Sequence, residues 1–110
     1  DTMSLLDNCS DPGGREMVAH GVGVGTQTVL SWVNKADLMR VKGVGSEFAD
    51  LLEAAGVDTV KELRHRNPES LANKMVETND ERQLTRRVPS AKVVARWVES
   101  AKTLVPAVSH

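Results

Sequence analysis

Two stretches of this chain repeat one another, and a duplication limits the possible architectures before any single element is considered. Asp1-Thr2-Met3-Ser4-Leu5-Leu6 lines up with Asp58-Thr59-Val60-Lys61-Glu62-Leu63, and Asp11-Pro12 lines up with Asn67-Pro68. Val29, Trp32, Val33 and Ala36 match Val94, Trp97, Val98 and Ala101 at one constant offset. Two copies of one helical unit are therefore expected. The second copy is preceded by Leu38 to Val57, a segment whose counterpart in the first copy would fall ahead of Asp1. The expected organisation is a truncated first repeat over 1–37 and a second repeat over 38–105, packed together as one domain.

Helix signals are clearest in the second copy. Thr59 followed by Glu62 reads as a capping box, in which the hydroxyl accepts from a free N–H and the carboxylate reaches back. Asn67-Pro68-Glu69 reads as an N-cap, a proline at the first helical position and an acid favoured by the helix dipole, so the Thr59 helix ends near Arg66. Ser90, after Pro89, caps a last helix running from about Ala91 to Leu104, beyond which Pro106 blocks continuation. Phe48, Leu51, Leu52 and Ala55 follow the spacing of a helix with one apolar stripe, as do Val94, Trp97, Val98 and Ala101. Asp11-Pro12 reads as a turn feeding a helix. The glycine-rich stretches 21–25 and 43–45 fall between helices and read as turns. Strand-like alternation is weak throughout, and the fold class predicted is all-α, a small bundle of short helices.

Composition narrows the function. At 110 residues the chain suits one small domain, which excludes a large enzyme with a separate cofactor domain. The 40% apolar and 26% charged fractions are those of a globular protein. No apolar run approaches the roughly 18–20 residues that cross a bilayer. Fourteen basic against 15 acidic residues leave a formal net charge of -1, without the global attraction to polyanions of many nucleic-acid binders. Cys9 is the one cysteine, so no internal disulfide can form, and a reducing intracellular compartment is the simpler expectation. Asp1 at the start suggests a processed or truncated product, in the cytoplasm or in an organelle such as a plastid.

The most specific local pattern is Leu38 to Val57, where a short helix, the turn Gly43-Val44-Gly45 and a second helix ending at Gly56 fit a helix-hairpin-helix motif. The glycines permit positive backbone angles and close approach, Val44 can plug between the helices, and Gly56 suits a C-cap. The runs from Trp32 to Gly45 and from Gly56 to Leu63, then Arg66-Asn67-Pro68, Arg86 to Ser90 and Trp97-Val98, resemble a domain-of-unknown-function family of tandem helix-hairpin-helix repeats. That family is common in cyanobacteria and other bacteria and also occurs in algae. The resemblance spans Asp1 to about Leu104 and departs from the family at the missing first hairpin. It implies a fold more than a function, and it admits a photosynthetic or plastid setting that the residues do not show.

In DNA-binding helix-hairpin-helix proteins, the backbone N–H groups of the turn and the next helix N-terminus meet a phosphate. Here that assigns phosphate or partner contacts to Gly43, Val44, Gly45 and Ser46, with Arg40 and Lys42 as flanking cations. Glu47, Asp50 and Glu53 on the following helix would repel the phosphate, and the alternative is a purely structural hairpin. A second candidate is the acid-free basic segment containing Arg82, Arg86, Arg87, Lys92 and Arg96, which could dock on phosphate or on an acidic protein surface, or simply be a solvated face. Arg86 and Arg87 lead, because they sit at a loop-to-helix junction where a planar fork can engage an anion. Trp32, Phe48 and Trp97 lie on apolar stripes and are expected in the core, with one tryptophan at a groove edge as the alternative.

No other chemistry gathers. His20, His65, His110 and Cys9 lack metal-ligand spacing, so no metal is predicted, and Asp7 and Asp11 argue against a reactive Cys9 thiol. The stretch from Asp7 to Gly13 lacks the ligand spacing of a calcium loop, and the stretch from Gly21 to Gly25 lacks the Lys-Ser/Thr of a phosphate-binding loop. With no convergent acid, base or nucleophile, the prediction is a non-enzyme without cofactor or small-molecule substrate. Its expected role is a protein-interaction or scaffold module, a subunit or linker of a larger assembly. Sequence-independent binding of the DNA backbone is the alternative.

Overall fold

Capping chemistry decides where the helices begin. The computed structural model describes Leu6, 10–23 and 25–108, excepting the side chains of 18 and 20–22. Among the described residues, six α-helices have defined bounds: α1 Pro12–Val22, α2 Thr26–Leu38, α3 Ser46–Ala54, α4 Val60–Leu63, α5 Pro68–Arg82 and α6 Ala91–Thr103. No strand occurs among the described residues, and the all-α class is the one found. Expectations resting on 1–5, 7–9, Val24, His110 or the side chain of His20 lie outside the described residues.

Four helices open on the side-chain caps that the sequence announces. Asp11 accepts from the Gly14 N–H at 2.7 Å and Asn67 from the Ser70 N–H at 3.1 Å, each followed by proline. Ser90 accepts from Val93 and Thr59 from Glu62, both at 3.3 Å. The box at Thr59 is only half made. Glu62 pairs instead with Arg66 at 3.2 Å, and the Val60 N–H goes to the carboxylate of Asp37 at 2.8 Å.

Two boundaries differ from the sequence reading. No separate short helix opens at Leu38: α2 runs unbroken to that residue, and consecutive turns carry the chain onward through Arg40, Val41 and Val44 N–H groups bonded to Asp37, Leu38 and Val41 carbonyls. Gly21 lies inside α1, so the first glycine-rich stretch is not a turn from its start, and Gly23 caps α1 at φ 73°. At the end of α3, Val57 donates to the Leu52 carbonyl at 2.9 Å and Gly56 to Glu53 at 3.1 Å. These paired bonds need a left-handed residue between helix and exit, and Gly56 supplies it at φ 98°.

Packing gives two apolar clusters. The larger gathers Leu51 and Leu52 of α3, Val60 and Leu63 of α4, Leu71 and Met75 of α5, and Val94, Trp97, Val98 and Ala101 of α6. The smaller joins Leu6, Ala19 of α1, and Val29, Val33 and Ala36 of α2 with Val108 from the chain beyond α6. Asp37, at the end of α2, links the halves. Its carboxylate binds α4 through Val60 and pairs with Arg40 at 2.7 Å, while the other arm of that guanidinium donates to the Val105 carbonyl at 2.7 Å. A buried carboxylate held by three elements in this way fixes their register, since each unmade bond would leave a desolvated group.

Candidate functional site

The apolar stripe of α6 turns Trp97 toward the start of α3, where its ring lies 5.2 Å from that of Phe48 at an interplanar angle of 53°. The turn before α3 closes over the indole. Gly43 adopts φ 94°, and a Cβ there would stand 3.2 Å from Trp97 Nε1, so both its backbone angle and its close approach call for glycine. Trp97 is 3% exposed, and its indole N–H has no acceptor among the described residues. Between turn and helix runs a groove of about 510 Å³, floored by Phe48, Val93 and Trp97, rimmed by Lys42 and Arg96, and closed by Gly43 and Ser100.

Both rim cations are exposed, and neither makes an ion pair among the described residues. No carboxylate lines the groove. The two candidate sets named from the sequence therefore meet here, Lys42 and Gly43 from the turn and Arg96 from the basic segment.

The remaining candidates are placed elsewhere. Arg40 is drawn inward onto Asp37 and the Val105 carbonyl, and its charge is not presented at the turn. Val44 is 5% exposed, packs in the larger apolar cluster and gives its N–H to the Val41 carbonyl. Gly45 caps α3 without a side-chain bond and is followed by exposed Ser46. Arg82 is exposed at the end of α5, and Arg86 and Arg87 are exposed on the loop before α6. Lys92 lines a different groove together with Asn67, Pro68 and Glu69. The basic segment thus does not gather around a single groove.

Three features escaped the sequence. The acids of α3 do not all face the turn: Asp50 pairs with Lys35 at 3.1 Å, and Glu53 accepts from the Ser31 hydroxyl at 3.3 Å, both toward α2. Burial pushes the Glu53 carboxyl above the ordinary carboxylate range, with Asp50 and Asp58 adding to the shift while the Ser31 bond and Lys35 oppose it. Asn79 ties down the loop after α5, accepting from the Thr85 N–H at 2.9 Å and donating to its carbonyl at 3.1 Å. Finally, Trp32 is not core. It is 43% exposed, because no described segment covers its face of α2 as 42–48 cover Trp97, and Met39 extends the same open stripe. Among the described residues, no three or more His, Cys, Asp and Glu side chains are grouped to share a metal ion. Among the described residues no helix is long and apolar enough to cross a membrane.

Fold and groove together define a small all-helical domain with a cation-rimmed, apolar-floored groove. The chain belongs to the family described as a domain of unknown function (DUF4332), which matches residues 1–104. No curated protein and no solved structure matches it.

Proposed function

We propose that this chain is a non-catalytic helical interaction module, docking a protein partner at the groove between the Lys42-Gly43 turn and α6. One observation carries the reading. Lys42 and Arg96, distant in sequence, flank the same apolar floor, and neither has its charge neutralised by a described carboxylate. Exposed cations beside a desolvated aromatic floor suit contact with a partner, because the floor supplies burial and the charges supply selectivity. The test is a photoactivatable side chain at Ser100, in the groove, against one at Asp80, exposed on α5, in extract of the source organism. A discrete protein adduct from Ser100 but not from Asp80 is the expected result. Equal labelling, or none from Ser100, refutes the reading.

Phosphate binding at the same turn is the second reading, and one observation favours it. α3 opens on Gly45 with no side chain bonded to its first N–H groups, which leaves donors for an anion. Duplex DNA of random sequence should then be retarded at low salt, less so as salt rises, and less by Lys42→Glu. Absence of any retardation at low salt removes this alternative.

A further inference from the structure

We infer that the groove's occupant is a short acidic peptide segment that seats one bulky apolar side chain on the half-buried Phe48 and Val93, beside the edge of Trp97, and sets carboxylates against Lys42 and Arg96. This rests on the docking reading above and names the chemistry of the partner. The volume, about 510 Å³, is that of a site for a compact ligand or a few residues of extended chain. Its floor is carbon-rich, so a fully polar segment would gain little there, while an apolar side chain is removed from water on several sides. The lining contributes two positive charges and no negative one, so carboxylates on either side of the apolar residue meet only attraction. Trp97 adds a specific donor. Its indole N–H, beside Gly43, has no acceptor among the described residues and is not a fully buried atom, so it is open to an acceptor entering the groove. A carboxylate or peptide carbonyl of the bound segment satisfies it.

A nucleic acid fits less well. Stacking requires exposed ring faces, and Trp97 is 3% exposed. A run of phosphates requires a run of cations, yet the rim has two, and Glu47 stands exposed in the first turn of α3 next to Phe48. An acidic peptide can place its few charges at the rim cations and keep away from Glu47, whereas a uniformly charged strand cannot.

The probe is the synthetic hexapeptide acetyl-Asp-Glu-Leu-Phe-Asp-Glu-amide, titrated into the isotope-labelled full chain while the Trp97 indole N–H and the Gly43 amide are followed by NMR. Saturable shifts at these two groups are expected. Replacing the acids by their amides, or Leu-Phe by Ser-Ser, should weaken binding by roughly tenfold or more, as should Lys42→Glu with Arg96→Glu. Arg82→Glu should leave binding unchanged, and unaltered circular dichroism verifies that the exposed-site variants stay folded. No shift at millimolar peptide overturns the inference, as do equal affinity for the amide version and a shift with oligothymidylate alone. A Ser100 adduct in extract that survives Arg96→Glu sinks the peptide chemistry while the docking reading stands. Peptide binding without any adduct in extract sinks the docking reading while the groove chemistry stands.

Discussion

Asp37→Ala should cost this domain a large part of its stability. The Asp37 side chain is 1% exposed and accepts two bonds, from the Val60 N–H at 2.8 Å and from Arg40 at 2.7 Å. Without it the Val60 N–H is left buried and unpaired, a penalty of about 1–3 kcal/mol. Breaking a buried ion pair from one side costs about 3–5 kcal/mol. That second figure must be reduced here, because Arg40 is 21% exposed and keeps the Val105 carbonyl at 2.7 Å, so its stranded charge is partly solvated. The two losses share one carboxylate and do not add in full, which leaves about 2–4 kcal/mol. Domains of this size are stable by about 5–15 kcal/mol, so the effect is easily read. Urea unfolding followed by circular dichroism should show a lower midpoint at unchanged slope. Asp37→Asn, which keeps an acceptor for Val60 but removes the charge, should lose less. Arg40→Ala combined with Asp37→Ala should lose less than the sum of the single losses, since both delete one interaction. A loss below about 1 kcal/mol for Asp37→Ala, or strict additivity with Arg40→Ala, would refute the claim that this carboxylate joins the halves.

Three further outcomes follow from the same coordinates. Gly43→Ala, at φ 94° with its Cβ 3.2 Å from the Trp97 ring nitrogen, should destabilise by about 1–3 kcal/mol, whereas Gly45→Ser, at φ -92° in open space, should gain up to about 1 kcal/mol by capping α3. Calorimetric melting of both variants checks this. Trp97→Ala should cost about 3–5 kcal/mol, while Trp32→Ser, at a position 43% exposed, should stay within about 1 kcal/mol of the parent; similar losses in denaturant titrations would contradict the opposite burial of the two rings. Because burial raises the Glu53 carboxyl, the folded state favours its protonated form, so the stability this group contributes is complete below its unfolded value and lost as pH rises through its folded value. Glu53→Gln should therefore be modestly more stable than the parent at neutral pH and lose that advantage in acid, as stability measured across pH will show.

Local chemistry was legible wherever cause and effect lie within one turn. Asp11, Asn67, Thr59 and Ser90 each accept from the N–H three residues downstream, and Gly56 ends α3 as its lack of a side chain predicts. What joins distant elements was not legible. The cap on Val60 comes from Asp37, on the far side of α3, and the groove pairs Lys42 with Arg96. Arg40 looked like a surface cation because nothing adjacent in sequence announces that Asp37 is buried at its side. The basic segment looked continuous because charge was read along the chain, but α5, the following loop and α6 point its members in different directions.

The two tryptophans show why pattern alone cannot separate a core from a surface. Trp32 and Trp97 hold matching places on their helices, beside Val33 and Val98, and both neighbouring valines are buried. Periodicity specifies the direction in which each ring points but not what stands opposite. Opposite Trp97 stands a turn that can approach only because residue 43 lacks a Cβ, and it brings Gly43 up to the indole nitrogen while leaving Lys42 at the rim. No described segment covers Trp32, and its ring meets solvent. The groove is thus a consequence of incomplete cover: the turn buries enough of Trp97 to fix the ring, and leaves its indole N–H without a described acceptor beside the rim cations.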